Sequence, residues 1–187
     1  MKKFKDNSGF TIIELFVVMA IISILSSVVF FNWRHAEEGF ALQSSAYKLS
    51  QEIREIQEMA MGAKEVDCGT EKAHSFGISF SKNTLPWFYP YSCFIFADCN
   101  NDGIWFPGVD KIIKEVELED NVRICDTSPS FWTLPLGVVF SPPDPSVSIF
   151  SSLLKYDWGT DAVITLRLDS GQEKKIRVNK SGMTEIK

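Results

Sequence analysis

The sequence predicts an α+β fold, with a long N-terminal helix packed on an antiparallel β-sheet head. Three observations carry this. Residues 10–31 form an apolar run with a single charge, Glu14. Apolar residues then recur at Leu42, Ala46, Leu49, Ile53, Ile56 and Ala60, a 4-3-4-3-4 spacing that makes one stripe along a helix. Beyond residue 64, short alternating segments separated by Gly, Pro, Asn and Asp mark strands and turns.

The chain has 187 residues, 45% hydrophobic and 23% charged, enough apolar matter for a buried core. Its net charge of −5 is unevenly spread. Residues 1–9, MKKFKDNSG, hold Lys2, Lys3 and Lys5 against Asp6, so this tract is basic and the remainder acidic. An acidic body excludes phosphate-backbone binding as the main activity, so nucleic acid is not an expected partner.

A helix over residues 10–31 reaches roughly 33 Å at about 1.5 Å per residue, sufficient to cross the hydrocarbon layer of a membrane. The lysines before it predict a cytoplasmic N-terminus, and the interfacial Trp33 after it leads into a body on the far side. A cleaved secretory signal is the rival reading, but residues 23–35 lack an A-x-A site. The organisation expected is 1–9 leader, 10–31 transmembrane helix, 32–63 amphipathic helix and 64–187 head. No proline interrupts residues 10–63, so one continuous helix is expected there, with Gly62 near its end.

In the head, Phe76, Ile78 and Phe80 alternate with Gly77 and Ser79 as on a half-buried strand. Strands are also expected at Cys93–Phe96, Ile112–Leu118, Val122–Ile124 and Leu136–Phe140. Ile164, Leu166 and Leu168 lead through the Asp169-Ser-Gly171 turn to Ile176 and Val178, a hairpin, with one more short strand after Gly182. Residues 141–160 read as an extended insertion.

Cys68, Cys93, Cys99 and Cys125 all fall in the part placed across the membrane, where an even count reads as disulfides. Three pairings remain open. Zinc is the rival, but spacings of 24, 5 and 25 intervening residues lack C-x-x-C knuckles.

Glu14 poses a physical problem, because a carboxylate inside a bilayer costs about 2.5–3.5 kcal/mol and usually has a partner. One answer is that it lies near the interface and reaches water. The other is a cut after Gly9. That cut removes the lysines and makes Phe10 a new N-terminus, whose positive amine needs an anion in the same apolar layer. Glu14 of the same or a neighbouring helix supplies one, which makes the segment an assembly device as well as an anchor.

The run K-x-x-x-x-G-F-T-I-I-E-L-x-V-V-x-A-I-I-x-I-L resembles the processing segment of type IV pilins and type II secretion pseudopilins. The resemblance implies cleavage between Gly9 and Phe10 by a prepilin peptidase and N-methylation of Phe10. It also implies subunit assembly through Glu14. Phe31 stands where many major pilins have proline. Phe96-Ala-Asp98-Cys-Asn100-Asn-Asp102-Gly103 with Asp110 is similar to a turn segment of minor pseudopilins of the GspH/FimT kind, as are the closing strands.

Asp98-x-Asn100-x-Asp102-Gly103 also matches half of a calcium loop. Its twelfth place holds Val109 instead of a bidentate Glu, so a tight turn is the expected use. Lys174, Lys175, Arg177, Lys180 and Lys187 make a basic end without the arginines that DNA-binding relatives carry after the last glycine. The aromatic tracts at residues 85–91, 105–107 and 131–132 are expected to fill the core or to mark a contact patch. Only His35 and His74 exist, with no HExxH, GxSxG or Walker pattern, so neither an enzyme nor a cofactor is expected.

The expected function is that of a minor pilin-like subunit of a type II secretion pseudopilus or type IV pilus. Such a subunit is held in the inner membrane with its head in the periplasm. Its partners are prepilin peptidase, other pilin or pseudopilin subunits and inner-membrane lipid. The alternatives are a major pilus subunit, and an anchored calcium- or DNA-binding module that never polymerises.

Overall fold

The computed structural model describes residues 10–62, 64–69, 72–81, 93–129, 135–142, 146–151 and 161–187, without the side chains of 31–36, 38, 146 and 151. The aromatic tracts at 85–91 and 131–132 and the leader with Gly9 lie outside the described residues. The chain divides into two compact units between Gly39 and Phe40. One helix, α1 (Ile12–Met61), contributes to both.

In the first unit, the stretch Ile12–Phe30 of α1 is long and apolar enough to cross a membrane, and its apolar side chains are exposed. Two of its three serines turn their hydroxyls back onto the helix. Ser23 Oγ donates to the Met19 carbonyl at 2.8 Å and Ser27 Oγ to the Ile24 carbonyl at 2.7 Å. The backbone and these two hydroxyls are thus satisfied within the helix, as suits a lipid environment.

In the second unit, all six residues of the expected helical stripe are buried: Leu42, Ala46, Leu49, Ile53, Ile56 and Ala60. Full burial of each Leu or Ile contributes about 1.5–3 kcal/mol, so this stripe is the main reason the helix stays on the head. α1 stops where expected. The Gly62 and Lys64 amides close the last turn on the Glu58 and Met59 carbonyls, at 2.8 and 3.1 Å.

Among the described residues, the head holds two antiparallel sheets and a small ribbon. The ribbon pairs β1 (Val66–Asp67) with β2 (Lys72–Ala73). The five-stranded sheet comprises β3 (Ser75–Phe80), β4 (Cys93–Asp98), β5 (Lys111–Glu115), β7 (Leu136–Ser141) and β8 (Ser146–Ser151), in the order β5-β4-β3-β7-β8. The four-stranded sheet comprises β6 (Val122–Ser128), β9 (Ala162–Leu168), β10 (Glu173–Val178) and β11 (Thr184–Ile186), in the order β11-β10-β9-β6. Ile164, Leu166, Ile176 and Val178 of this sheet share one core with the α1 stripe and with Phe76, Ile78, Ile95, Val138 and Phe140 of the other.

Three expectations are corrected here. β3 is buried on both faces, because the far face of the five-stranded sheet carries a second cluster of Phe94, Phe96, Trp105, Val139 and Phe150. Gly77 leaves room for that cluster, since a Cβ there would lie 2.7 Å from both Phe96 Cε1 and Val139 Cγ2. The supposed insertion contains a strand, β8, which pairs with β7 from Leu136↔Ser151 to Ser141↔Ser146. Its Val147, Ile149 and Phe150 were legible as apolar, but the surrounding serines and prolines disguised the pairing. β6 is also longer than its two apolar residues indicated, and a register shift between Ile124 and Asp126 accommodates the extra length against β9.

Candidate processing and assembly site

The α1 N-terminus is built as a reciprocal cap. Thr11 immediately precedes the first helical residue, and Glu14 is the third residue of the helix. Glu14 Oε2 accepts from the Thr11 backbone N–H and from the Thr11 hydroxyl, each at 2.9 Å. The Glu14 N–H donates back to Thr11 Oγ1 at 3.3 Å. This is the Thr-x-x-Glu capping box, which satisfies two amides that helix geometry otherwise leaves without acceptors. The carboxylate sits at the positive end of the helix dipole, a second source of stabilisation.

The sequence reading singled out Glu14 but missed Thr11, although T-x-x-E before an apolar run is a recognised signal. Phe10, one residue ahead, is 91% exposed. The cap therefore brings the carboxylate to the residue next to Phe10. That is where a new amine would arise after cleavage.

Residues 4–30 match the family model described as the prokaryotic N-terminal methylation motif. The chain carries a prokaryotic N-terminal methylation motif. Its extent takes in Lys5, Gly9, Phe10, Glu14 and the apolar half of α1, and it supports the resemblance to the pilin and pseudopilin superfamily. No curated protein and no solved structure matches the chain. The methylation motif ends before the head, so the head is characterised by its geometry.

There, Asp98, Asn100 and Asp102 do come together, but around backbone N–H groups. Asp98 accepts from the Asp102 amide at 3.2 Å and the Gly103 amide at 2.8 Å. Asp102 accepts from the Ile104 amide at 2.8 Å and from Asn100 Nδ2 at 2.9 Å. Asp110 reaches back to the Cys99 and Phe106 amides at 3.0 and 2.6 Å. Asn101 and Gly103 take the left-handed conformation, with φ of 54° and 78°, which these residue types tolerate. The segment is organised as a turn, and among the described residues no group of three His, Cys, Asp or Glu side chains is placed to hold a metal. Burial raises the Asp98 carboxyl and pushes Asp110 up to about 6 against its two hydrogen bonds.

The four cysteines do not form two bridges. Cys68 and Cys99 are joined, with Cα atoms 5.8 Å apart, tying the ribbon to the turn after β4. Cys93 and Cys125 are free. Cys93 is packed in the core on β4, where burial and then the Glu52 charge hold its thiol well above the ordinary range. Cys125 lies in the other sheet at the β6 irregularity, half-buried. Counting cysteines could not reveal that two of them lie in different sheets.

Several polar contacts position α1 against the head, among them the Glu119 amide donating to the buried Ser45 Oγ at 3.1 Å. Glu52, buried on the helix, binds the ammonium of Lys114 on β5 through both oxygens, at 2.7 and 2.8 Å. Gln57 donates to the Gly182 carbonyl in the closing turn. Asn179 braces that turn by accepting from the Ser181 and Met183 amides at 3.1 and 2.8 Å. The basic end is partly neutralised, since Arg177 pairs with Asp161 and Lys187 with Glu185.

Proposed function

We propose that this chain is a minor pilin-like subunit, processed by a prepilin peptidase and assembled into a type II secretion pseudopilus or a type IV pilus. The observation that carries the proposal is the methylation motif over residues 4–30, coinciding with a capped, apolar helix whose single acid lies beside Phe10. Cleavage after Gly9 removes Lys2, Lys3 and Lys5 and leaves a cationic amine on Phe10. The Glu14 carboxylate, already turned toward that end of the helix, is its natural counter-charge.

Before assembly, the Thr11 amide and hydroxyl meet the hydrogen-bonding demand of Glu14. In a filament, the amine of a neighbouring processed subunit takes over part of that role and sets axial register. An ion pair in an apolar layer acts chiefly through specificity, because either charge alone is costly there. The head does no chemistry. It presents a surface to other subunits on the periplasmic side.

The test is N-terminal mass spectrometry of the full-length protein extracted from membranes of cells with active prepilin peptidase. A chain beginning at N-methylated Phe10 is expected; an intact residue 1–9 leader overturns the proposal.

A further inference from the structure

We infer that α1 is hinged at Gly39, where the helix opens readily enough for the head to pivot on the membrane-spanning segment. The hinge is a property of the chain. Its use, to let a membrane-held subunit reorient as it enters a fibre, rests on the assembly reading above.

Gly39 is the one glycine among the described residues for which the fold supplies no local reason. Five others take a left-handed backbone, with φ of 78° to 96°. The remaining three are crowded. A Cβ on Gly62 would lie 2.9 Å from the Glu58 carbonyl oxygen, and one on Gly77 or Gly137 would press into the ring of Phe96 or Phe150. Gly39 instead lies inside α1, and a Cβ there would meet nothing within 4 Å. Alanine would fit that space and make the better helix, so neither shape nor backbone conformation calls for glycine.

Its position supplies a reason. The two compact units of the chain divide between Gly39 and Phe40. Among the described side chains, Ala41 and Leu42 are the first of α1 to pack on the core of the head. The apolar stretch Ile12–Phe30 ends well before Gly39. The helix at this point is therefore held neither by the head nor by lipid. No proline and no second glycine occurs from Ile12 to Met61, so helix propensity is lowest here.

In an α-helix the amides of Phe40–Gln43 bond to the carbonyls of residues 36–39. Opening at Gly39 breaks these bonds and leaves both the membrane span and the buried stripe from Leu42 to Ala60 intact. A rigid helix of 50 residues would fix the angle of the head on the membrane and carry it unchanged into the fibre. One opened turn at the seam lets the head swing while the span keeps its place in the lipid, since hinges lie where few contacts must be broken.

Hydrogen exchange of the detergent-solubilised full chain, read by mass spectrometry and corrected for intrinsic rates, tests the hinge itself. The amides of Phe40–Gln43 are expected to exchange about tenfold faster than those of Gln51–Glu55, which lie on the head. Gly39→Ala should slow the first group about fivefold and leave the second unchanged. Equal protection of the two groups, or no slowing in the variant, overturns the inference.

Fibre content tests the use of the hinge. Gly39→Ala should be cut normally at Phe10 yet be depleted several-fold from sheared fibres. Adding Ala36→Gly moves the weak point by about one turn and should restore incorporation. Failure of that rescue would mean that a neighbour needs the open space at Gly39, and would overturn the pivoting role. Chains cut at Phe10 whose fibre content ignores Gly39→Ala refute that role alone, whereas uncut chains refute the assembly reading.

Discussion

The Glu14 carboxylate takes both the backbone N–H and the hydroxyl of Thr11, each at 2.9 Å, and so closes the first turn of α1 on itself. The acid that looks isolated in the sequence is already satisfied within its own helix. The hydroxyl of Thr11 is therefore an expected determinant of assembly. Thr11→Val should remove about 1 kcal/mol of capping and reduce the amount of subunit in sheared fibres, while Thr11→Ser should keep both. Quantitative immunoblotting of fibre and membrane fractions checks this. Equal incorporation of the Val and Ser variants would show that the cap plays no part.

Lys114→Met should destabilise the protein by leaving Glu52 buried without its counter-charge. Removing one member of a fully buried pair costs about 3–5 kcal/mol. The Lys114 side chain is 46% exposed while that of Glu52 is 9%, so solvent screening reduces the expected loss to about 2 kcal/mol. The double variant Glu52→Gln/Lys114→Met should recover most of it. Urea midpoints of the detergent-solubilised chain provide the measurement, and a Lys114→Met midpoint equal to wild type would remove the pair from the account.

Asp110 imposes a pH dependence of defined sign. Its folded carboxyl keeps a proton up to about pH 6, whereas an unfolded aspartate releases it near 3.9. Between those values the folded state holds more protons than the unfolded one, so this contribution to stability falls as pH rises from about 4 to 6 and is flat above. Asp110→Asn should abolish that component. Melting temperatures measured from pH 4 to 7 for the two proteins test it, and identical pH profiles would contradict the assignment.

The bridge between Cys68 and Cys99 spans 31 residues, and its loss should cost about 2–4 kcal/mol. Two thiols should therefore be titratable in denatured, unreduced protein. In the native protein Cys93 should stay unreactive, because it is buried in the core. Four thiols, or none, would contradict the pairing.

Much of this architecture was legible in the sequence. The helical stripe from Leu42 to Ala60 was readable because the 3.6-residue period leaves little freedom over five turns. The C-terminal hairpin was readable because Asp169-Ser-Gly171 punctuates a clean alternation. What escaped was decided by tertiary context. The two-sided burial of β3 depends on the Phe94–Trp105–Phe96 layer, whose rings pack edge to face with Trp105 centroids 4.9 and 5.4 Å away. β8 depends on β7 to make a strand of SVSIFS. At the candidate site the spacing of Gly9, Phe10 and Glu14 was evident, yet the role of Thr11 emerged only from the direction of the Glu14 side chain.

On the proposed reading, Glu14 meets a need created by cutting the chain at Phe10. This is tested most directly by Glu14→Ala in the full-length protein, with leader removal and fibre content measured on the same cells. Both proteins are expected to begin at N-methylated Phe10, with the variant at least tenfold depleted from sheared fibres. A correctly processed Glu14→Ala subunit that enters fibres as well as wild type would contradict the account.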